Sequence, residues 1–439
     1  MASLWYNACM SVETILKLNK RFRLPEHPFN SPARVRSEDA CGSVSLAYAQ
    51  WEYEHAADSL ACFAPYYTPG DILFRKRVLD VGCGAGGKSV WYAEKWAADV
   101  TGVELLEKYR EQAEAFAMRK RIGTDPEEQG PQDLYSAEPE TRGTLDLYSA
   151  DPETRGILDP YSAEPESCGS FRFICADASD TGLPAEGFDT IIMNDAFEHL
   201  ADPEAVLAEC KRLLKPGGRV FINFPPYGHP YGEHLSDLIG IPWVHRLFPE
   251  QQCLEAYRQV AEELDENVQS GKTGGAADME TSVPAVSGAE RIAFRLSEDE
   301  NGALKNSYIN KMTLKRFKRI REELAAQMSA AADGAVAQGH GDTGKPSAHG
   351  SGKTGGTPAQ GSLRVILYKE KPLRGWMAPL AKIPGVKENF VRMAVCVLEK
   401  NDPAAEEKQK TTDPSAQSEQ NASRRPISAE KNTKTAENT

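Results

Sequence analysis

The chain has 439 residues, 40% hydrophobic and 26% charged, with a formal net charge of −13. That balance supports a globular core and disfavours a phosphate-backbone partner, so no nucleic acid is expected. No apolar run reaches the roughly 18–20 residues of a membrane span, so no stable membrane insertion is expected either. The nine cysteines lie scattered without a Cys-x-x-Cys pair, which argues against a zinc cluster or disulfide framework and for a reducing, cytoplasmic setting.

In chain order, MASLWYNACMSVETILKLNKRFR lacks a long apolar stretch followed by a cleavage site. It reads as a short amphipathic helix near residues 12–22, and not as a secretory signal or an anchor. SLAYAQWEYEHAADSLACFAPYY is helical and aromatic-rich; Trp51, Tyr53 and Tyr66 either pack the core or touch a ligand. RVLDV then reads as a strand running into GCGAGGKS and a helix over 88–97. DVTGVE is a second strand, followed by a helix over 105–121. FRFICAD, FDTIIMND and GRVFINF are three more, with a helix over 203–214 before the last. A helix in MTLKRFKRIREELAAQ precedes two late strands, LRVILYKEK and VRMAVCVLEK. Strands alternating with helices predict an α/β fold, a mostly parallel sheet with helices on both faces.

Low-complexity sequence interrupts this pattern. DLYSAEPETRGTL (133–145) is followed by DLYSADPETRGIL (146–158) and a decayed third copy. Residues 133–170 carry nine acidic residues against two arginines. A thirteen-residue period with Pro and Gly in each copy is too short and polar to stack as a solenoid. It is expected to be a disordered insertion, as are two Gly/Ala/Ser-rich tracts further on. The expected organisation is an N-terminal segment (1–35), one domain (36–400) interrupted at about 122–170, 266–290 and 328–362, and a polar tail (401–439).

The glycine loop admits two readings. Residues 82–89, GCGAGGKS, match the phosphate-binding pattern G-x-x-x-x-G-K-[ST], with Asp195 available as a Mg²⁺-binding carboxylate on another strand. Alternatively, Asp80 precedes a Gly82, Gly84, Gly86 turn that approaches a ligand closely, with Cys83 inside the loop. A carboxylate there repels a polyphosphate but suits a cationic ligand. Glu104 follows Gly82 by 22 residues, the spacing at which an acidic side chain takes ribose hydroxyls. Asp177, with Ala178, ends the third strand, where a polar side chain can meet an adenine amino group.

VLDVGCGAG…VTGVE…CADA…FDTIIMNDAFEHL…LLKPGGRVFINFPP resembles the class I S-adenosylmethionine (SAM)-dependent methyltransferases, in the small-molecule branch that includes quinone-biosynthesis enzymes. Five motifs follow the family order over about residues 75–226, and the late strands resemble the family's final antiparallel pair. The resemblance implies a Rossmann-like seven-stranded sheet, SAM as cofactor and a small-molecule methyl acceptor. It also implies that Asn194, Asp195 and Ala196 face cofactor or substrate, and that Glu198 and His199 match a frequent Glu-His pair. In this reading Lys88 and Ser89 are ordinary first-turn residues of the helix.

Methyl transfer from a sulfonium is an in-line displacement that mainly needs alignment, and a base only where the acceptor must lose a proton. The candidates are His199 after the fourth strand, and Tyr227, His229 and His234 in FPPYGHPYGEHLSDLIGIPWVHRLFPE, whose length suggests a lid. Glu198 and His199 have an equally simple structural reading, as a capping carboxylate and a loop-tied histidine. His229 and His234 flank Glu233, but their spacing in a Gly/Pro loop is no recognised ligand motif, so no metal is expected.

Overall fold

The computed structural model describes residues 11–25, 27, 29–30, 46–123, 168–270, 286–338 and 362–402. The thirteen-residue repeats, the centres of the two later tracts and the tail from 403 lie outside the described residues.

Seven strands form the main sheet: β1 (Arg77–Val81), β2 (Asp99–Glu104), β3 (Phe171–Cys175), β4 (Phe188–Asn194), β5 (Leu214–Phe224), β8 (Leu363–Pro372) and β9 (Val391–Lys400). A separate hairpin pairs β6 (Leu296–Glu298) with β7 (Leu304–Asn306). The sheet order is β3-β2-β1-β4-β5-β9-β8, parallel except that β9 runs antiparallel to both neighbours. All seven strands coincide with expected ones to within a few residues. The order reverses beside β1, and in an open α/β sheet ligands bind at the carboxyl ends of the strands at such a point.

The helices are α1 (Val12–Asn19), α2 (Ala47–Glu54), α3 (Ala56–Leu60), α4 (Pro69–Leu73), α5 (Gly87–Trp96), α6 (Arg110–Arg119), α7 (Pro203–Leu213), α8 (Val244–Leu247), α9 (Glu250–Gln269), α10 (Gly288–Arg295) and α11 (Leu314–Gln338). Local chemistry sets several of their starts. The Asp202 carboxylate accepts the Ala205 N–H ahead of Pro203, and Ser287 with Glu290 forms a capping box before α10. Ordered elements reach into the expected insertions: α9 continues to Gln269, α10 begins at Gly288 and α11 runs to Gln338.

Because strand side chains alternate, the sheet builds two cores. Val78, Val100, Ile192 and Phe221 face α2 to α6 on one side, while Leu79, Val103, Ile191 and Ile222 face α7 and α11 on the other. This is the expected three-layer arrangement. A third core has no counterpart in the sequence pattern. Ile15 of α1, Leu235, Ile239 and Ile241 of the expected lid loop, Leu254 and Tyr257 of α9, and Leu296 and Leu304 of the hairpin pack together. The region read as a loop is therefore a cap with its own interior. Asp237 lies at its heart, fully buried, with Arg291 Nη1 at 3.2 Å and Arg295 Nη2 at 3.1 Å. The Tyr257 hydroxyl donates to the same carboxylate at 3.0 Å.

Candidate active site

The β1–α5 turn holds Gly82, Gly84 and Gly86 at φ of +72°, +55° and +76°. L side chains avoid this region, and space is short as well: a Cβ on Gly84 would lie 2.5 Å from Glu52 Oε1. Three carboxylates converge on the turn. Glu104, ending β2, accepts the N–H of Gly84 at 3.2 Å and of Leu106 at 3.1 Å. Asp80 accepts the Ser89 hydroxyl at 2.6 Å. Glu52, on α2, accepts the Gly87 N–H at 3.1 Å, at the first residue of α5. Burial raises the pKa of all three, Asp80 to about 6 and Glu52 to about 8, with the positive charge of Lys88 partly offsetting this for Asp80 and Glu52.

These bonds remove the phosphate-loop alternative. A phosphate cradle needs the N–H groups of the turn and helix start, and those of Gly84 and Gly87 are given to carboxylates. The Ser89 hydroxyl, of the kind a phosphate loop turns to Mg²⁺, is committed to Asp80. Asp80 and Glu104 leave negative charge at the turn that suits a cation, and Glu52, held protonated up to about pH 8 by burial, can add to it when a cation binds. No local motif flags Glu52; it becomes visible only with α2 packed across the turn. The aromatics singled out in that segment lie elsewhere. Trp51 stacks on His55 at 4.4 Å, the Tyr53 hydroxyl donates to Glu94, and Tyr66 is half exposed, whereas Tyr48 approaches Gly84.

Cys83 is buried, its Sγ directed against Gly102 of β2, so its side chain anchors the loop. Asp177 lies exposed just beyond β3, its Oδ1 accepting the Ser179 N–H at 2.8 Å and hydroxyl at 2.7 Å, bonds that lower its pKa; Ala178 follows, half buried. At the end of β4, Asn223 Nδ2 donates to Asn194 Oδ1 at 3.0 Å and Asp195 Oδ1 at 3.3 Å. Asp195, at φ +51°, keeps accessible surface, although desolvation by the protein around it raises its pKa.

The catalytic candidates separate into three places. His199 and His234 meet, with ring centroids 4.8 Å apart, beside the buried Glu198 carboxylate. His199 Nδ1 lies 2.7 Å from the Tyr308 carbonyl. Tyr227 lies instead over His245, 4.8 Å between rings, and His245 Nδ1 lies 3.9 Å from Glu233. His229 uses Nδ1 to accept the Tyr231 N–H at 3.2 Å. Burial lowers the pKa of His199, His229 and His245 to about 4 and holds that of His234 well below its ordinary value, keeping the rings neutral. The grouping of His229, Glu233 and His234 raised by their spacing does not form. Glu198, His199 and His234 come together instead, with one potential ligand atom from each lying within 4.8 Å of the others.

Residues 48–261 match the family described as Methyltransferase domain. The ubiquinone biosynthesis O-methyltransferase of Coxiella burnetii is 25% identical over 174 residues, 40% of this chain and 53% of that protein. The protein of the same name from Idiomarina loihiensis is 30% identical over 153 residues, 35% of this chain and 44% of its own length. The chain thus spans about half the length of the curated relatives it matches. A solved SAM-dependent methyltransferase of Methanosarcina mazei aligns with 74% of this chain and 92% of its own at 14% identity, with a TM-score of 0.32; the fold assignment rests on the strand order, not on that likeness. Residues 48–261 thus match a methyltransferase domain, and the motifs and the strand order agree with the class I, S-adenosylmethionine-dependent arrangement.

Proposed function

We propose that this chain transfers the methyl group of S-adenosylmethionine to a small organic acceptor. The observation that carries the reading is the ring of carboxyl groups, Glu52 and Asp80 buried and Glu104 half-buried, around a glycine turn whose N–H groups are already taken. When bound, the cofactor supplies a methyl group already activated by a sulfonium. Asp80 and Glu52 hold its positive end, directly or through water. Glu104 has lone pairs left to accept ribose hydroxyls, and Asp177 with Ala178 meets the adenine edge. Gly82, Gly84 and Gly86 let the backbone approach, Cys83 keeps the turn on β2, and Asn194 and Asp195 line the methyl end.

His199 and His234 face that end from the loop and the cap, while Tyr227 and His229 belong to the cap wall that shapes the acceptor pocket. Imidazoles held neutral at such low pKa are weak bases, so alignment and water exclusion contribute more than proton abstraction. The acceptor is not a nucleic acid, since the chain is acidic overall, and the setting is cytoplasmic. No helix among the described residues is long and apolar enough to cross a membrane.

Isothermal titration with SAM and with Mg-ATP tests the reading: saturable heat is expected with SAM and none with Mg-ATP, and the reverse would overturn it. S-adenosylhomocysteine production across a panel of phenolic, amine and carbon-acid acceptors then separates a transferase from a domain that only binds the cofactor.

A further inference from the structure

We propose that Glu198, His199 and His234 form a binding site for one divalent transition-metal ion, which clasps the cap to the loop after β4. Glu198 is 3% exposed and neither carboxylate oxygen has a hydrogen-bond partner, an arrangement that costs several kcal/mol unless a cation or proton answers it. Its Oε1 lies 3.8 Å from His199 Nε2 and 4.0 Å from His234 Nε2. Both separations are too long for hydrogen bonds, so the histidines do not satisfy the carboxylate directly.

The histidines are oriented as ligands are. His199 Nδ1–H donates to the Tyr308 carbonyl at 2.7 Å, which fixes the tautomer and leaves the Nε2 lone pair turned toward Glu198. Tyr308 is itself held, its N–H donating to Asn306 Oδ1 at 3.2 Å. Asn310 straps the same loop through the carbonyls of Phe197 and Leu200 at 2.9 and 2.8 Å. First-row ions bind nitrogen and oxygen at about 2.0–2.2 Å, so closing on one ion moves each side chain by less than roughly 1 Å. Two imidazoles and one carboxylate select zinc or manganese over magnesium, which prefers oxygen and retains its water. The side chains of His199 and His234 are 20% and 19% exposed, enough for an ion to enter.

The site's existence is independent of the methyltransferase reading; any use of the ion toward an acceptor rests on that reading. The experiment titrates the full chain, freed of metal by chelator, with Zn²⁺ and separately with Mg²⁺. Zn²⁺ affinity is read by competition with a chromophoric chelator, and the ligand set by the visible spectrum after Co²⁺ substitution. One equivalent of Zn²⁺ is expected, with Mg²⁺ far weaker. His234→Ala and Glu198→Gln should each weaken Zn²⁺ at least tenfold, while His245→Ala, in the neighbouring buried pair, should change it less than about twofold. Glu198→Gln preserves shape and removes a buried charge, so it reports on binding even where His234→Ala folds poorly. No retained equivalent, or equal losses in all three variants, would overturn the site. SAM titration of the metal-free chain separates the two proposals: SAM binding without any Zn²⁺ uptake refutes the metal site alone, and Zn²⁺ uptake without SAM binding refutes the function alone.

Discussion

A side chain at Gly84 meets Glu52, and the φ there is one L residues avoid, so Gly84→Val should abolish SAM binding in calorimetry. Asp80→Ala should do the same by removing a wall of the acidic ring. Lys88→Ala should leave SAM affinity nearly intact, since its charge only eases the burial of carboxylates nearby. Comparable losses in Lys88→Ala and Gly84→Val would return the phosphate loop to consideration. At Glu104, two charge-assisted hydrogen bonds to ribose are worth roughly 1.5–3 kcal/mol, so Glu104→Ala should weaken SAM by about one to two decades. Glu107, exposed and paired with Arg110, should tolerate alanine without effect on SAM. Glu52 makes a pH prediction. Its pKa is raised by burial to about 8 from an ordinary 4.5, so its contribution to stability is complete below about 4.5 and lost as pH rises toward 8. His199, His229 and His245, lowered to about 4, act oppositely, losing their contribution only as pH falls below about 6.5. Between pH 6.5 and 8 these histidines are neutral folded and unfolded, so the raised carboxyls Glu52 and Glu233 set the slope, and substituting Glu52 alone separates its share. Urea denaturation of the ligand-free protein should show Glu52→Gln gaining on wild type by roughly 1 kcal/mol per pH unit there; parallel profiles would mean Glu52 is ionised throughout.

Among the elements, the cap is the one whose integrity hangs on a single carboxylate. Asp237 pairs with both Arg291 and Arg295, each about 1% exposed, and accepts from Tyr257. Asp237→Ala strands two buried guanidinium groups and should cost about 3–5 kcal/mol in urea denaturation. The loss should register in the cap before the sheet, as early hydrogen exchange in α9 and α10. Sequence motifs place α5, α7 and the strands well, because period and capping chemistry are local signals. Residues 225–250 read as a loop because PPYGHPYGEHLSDLIGIP has no helical or strand period. Its order comes from Leu235, Ile239 and Ile241 packing on α1 and α9, partners far away in the chain.

At the scale of the whole molecule, the two ends of the repeat region are already joined across the domain. The Phe171 N–H donates to the Gly123 carbonyl at 3.0 Å, and the Gly169 N–H donates to the Ala93 carbonyl at 2.9 Å. A short linker spans the same gap, so replacing residues 124–167 with about six Gly/Ser residues should alter stability by less than about 2 kcal/mol, toward stabilisation. SAM affinity should be unchanged within error. A cooperative loss of folding on this replacement would show that the repeat packs on the core.

The strand-end residues of the candidate site are placed by the amino-acid sequence alone. Asp80, the glycines, Glu104 and Asp177 sit at strand ends, and strand ends are set by short-range periodicity that a sheet then brings into line. Glu52 is not legible there, nor the cluster of Glu198, His199 and His234, nor the pairing of Asp237 with two arginines. Each is made by segments tens of residues apart, meeting because separate apolar faces are buried together. Local chemistry determines which backbone can receive a ligand; only the packing of α2 and the cap decides which charges surround it.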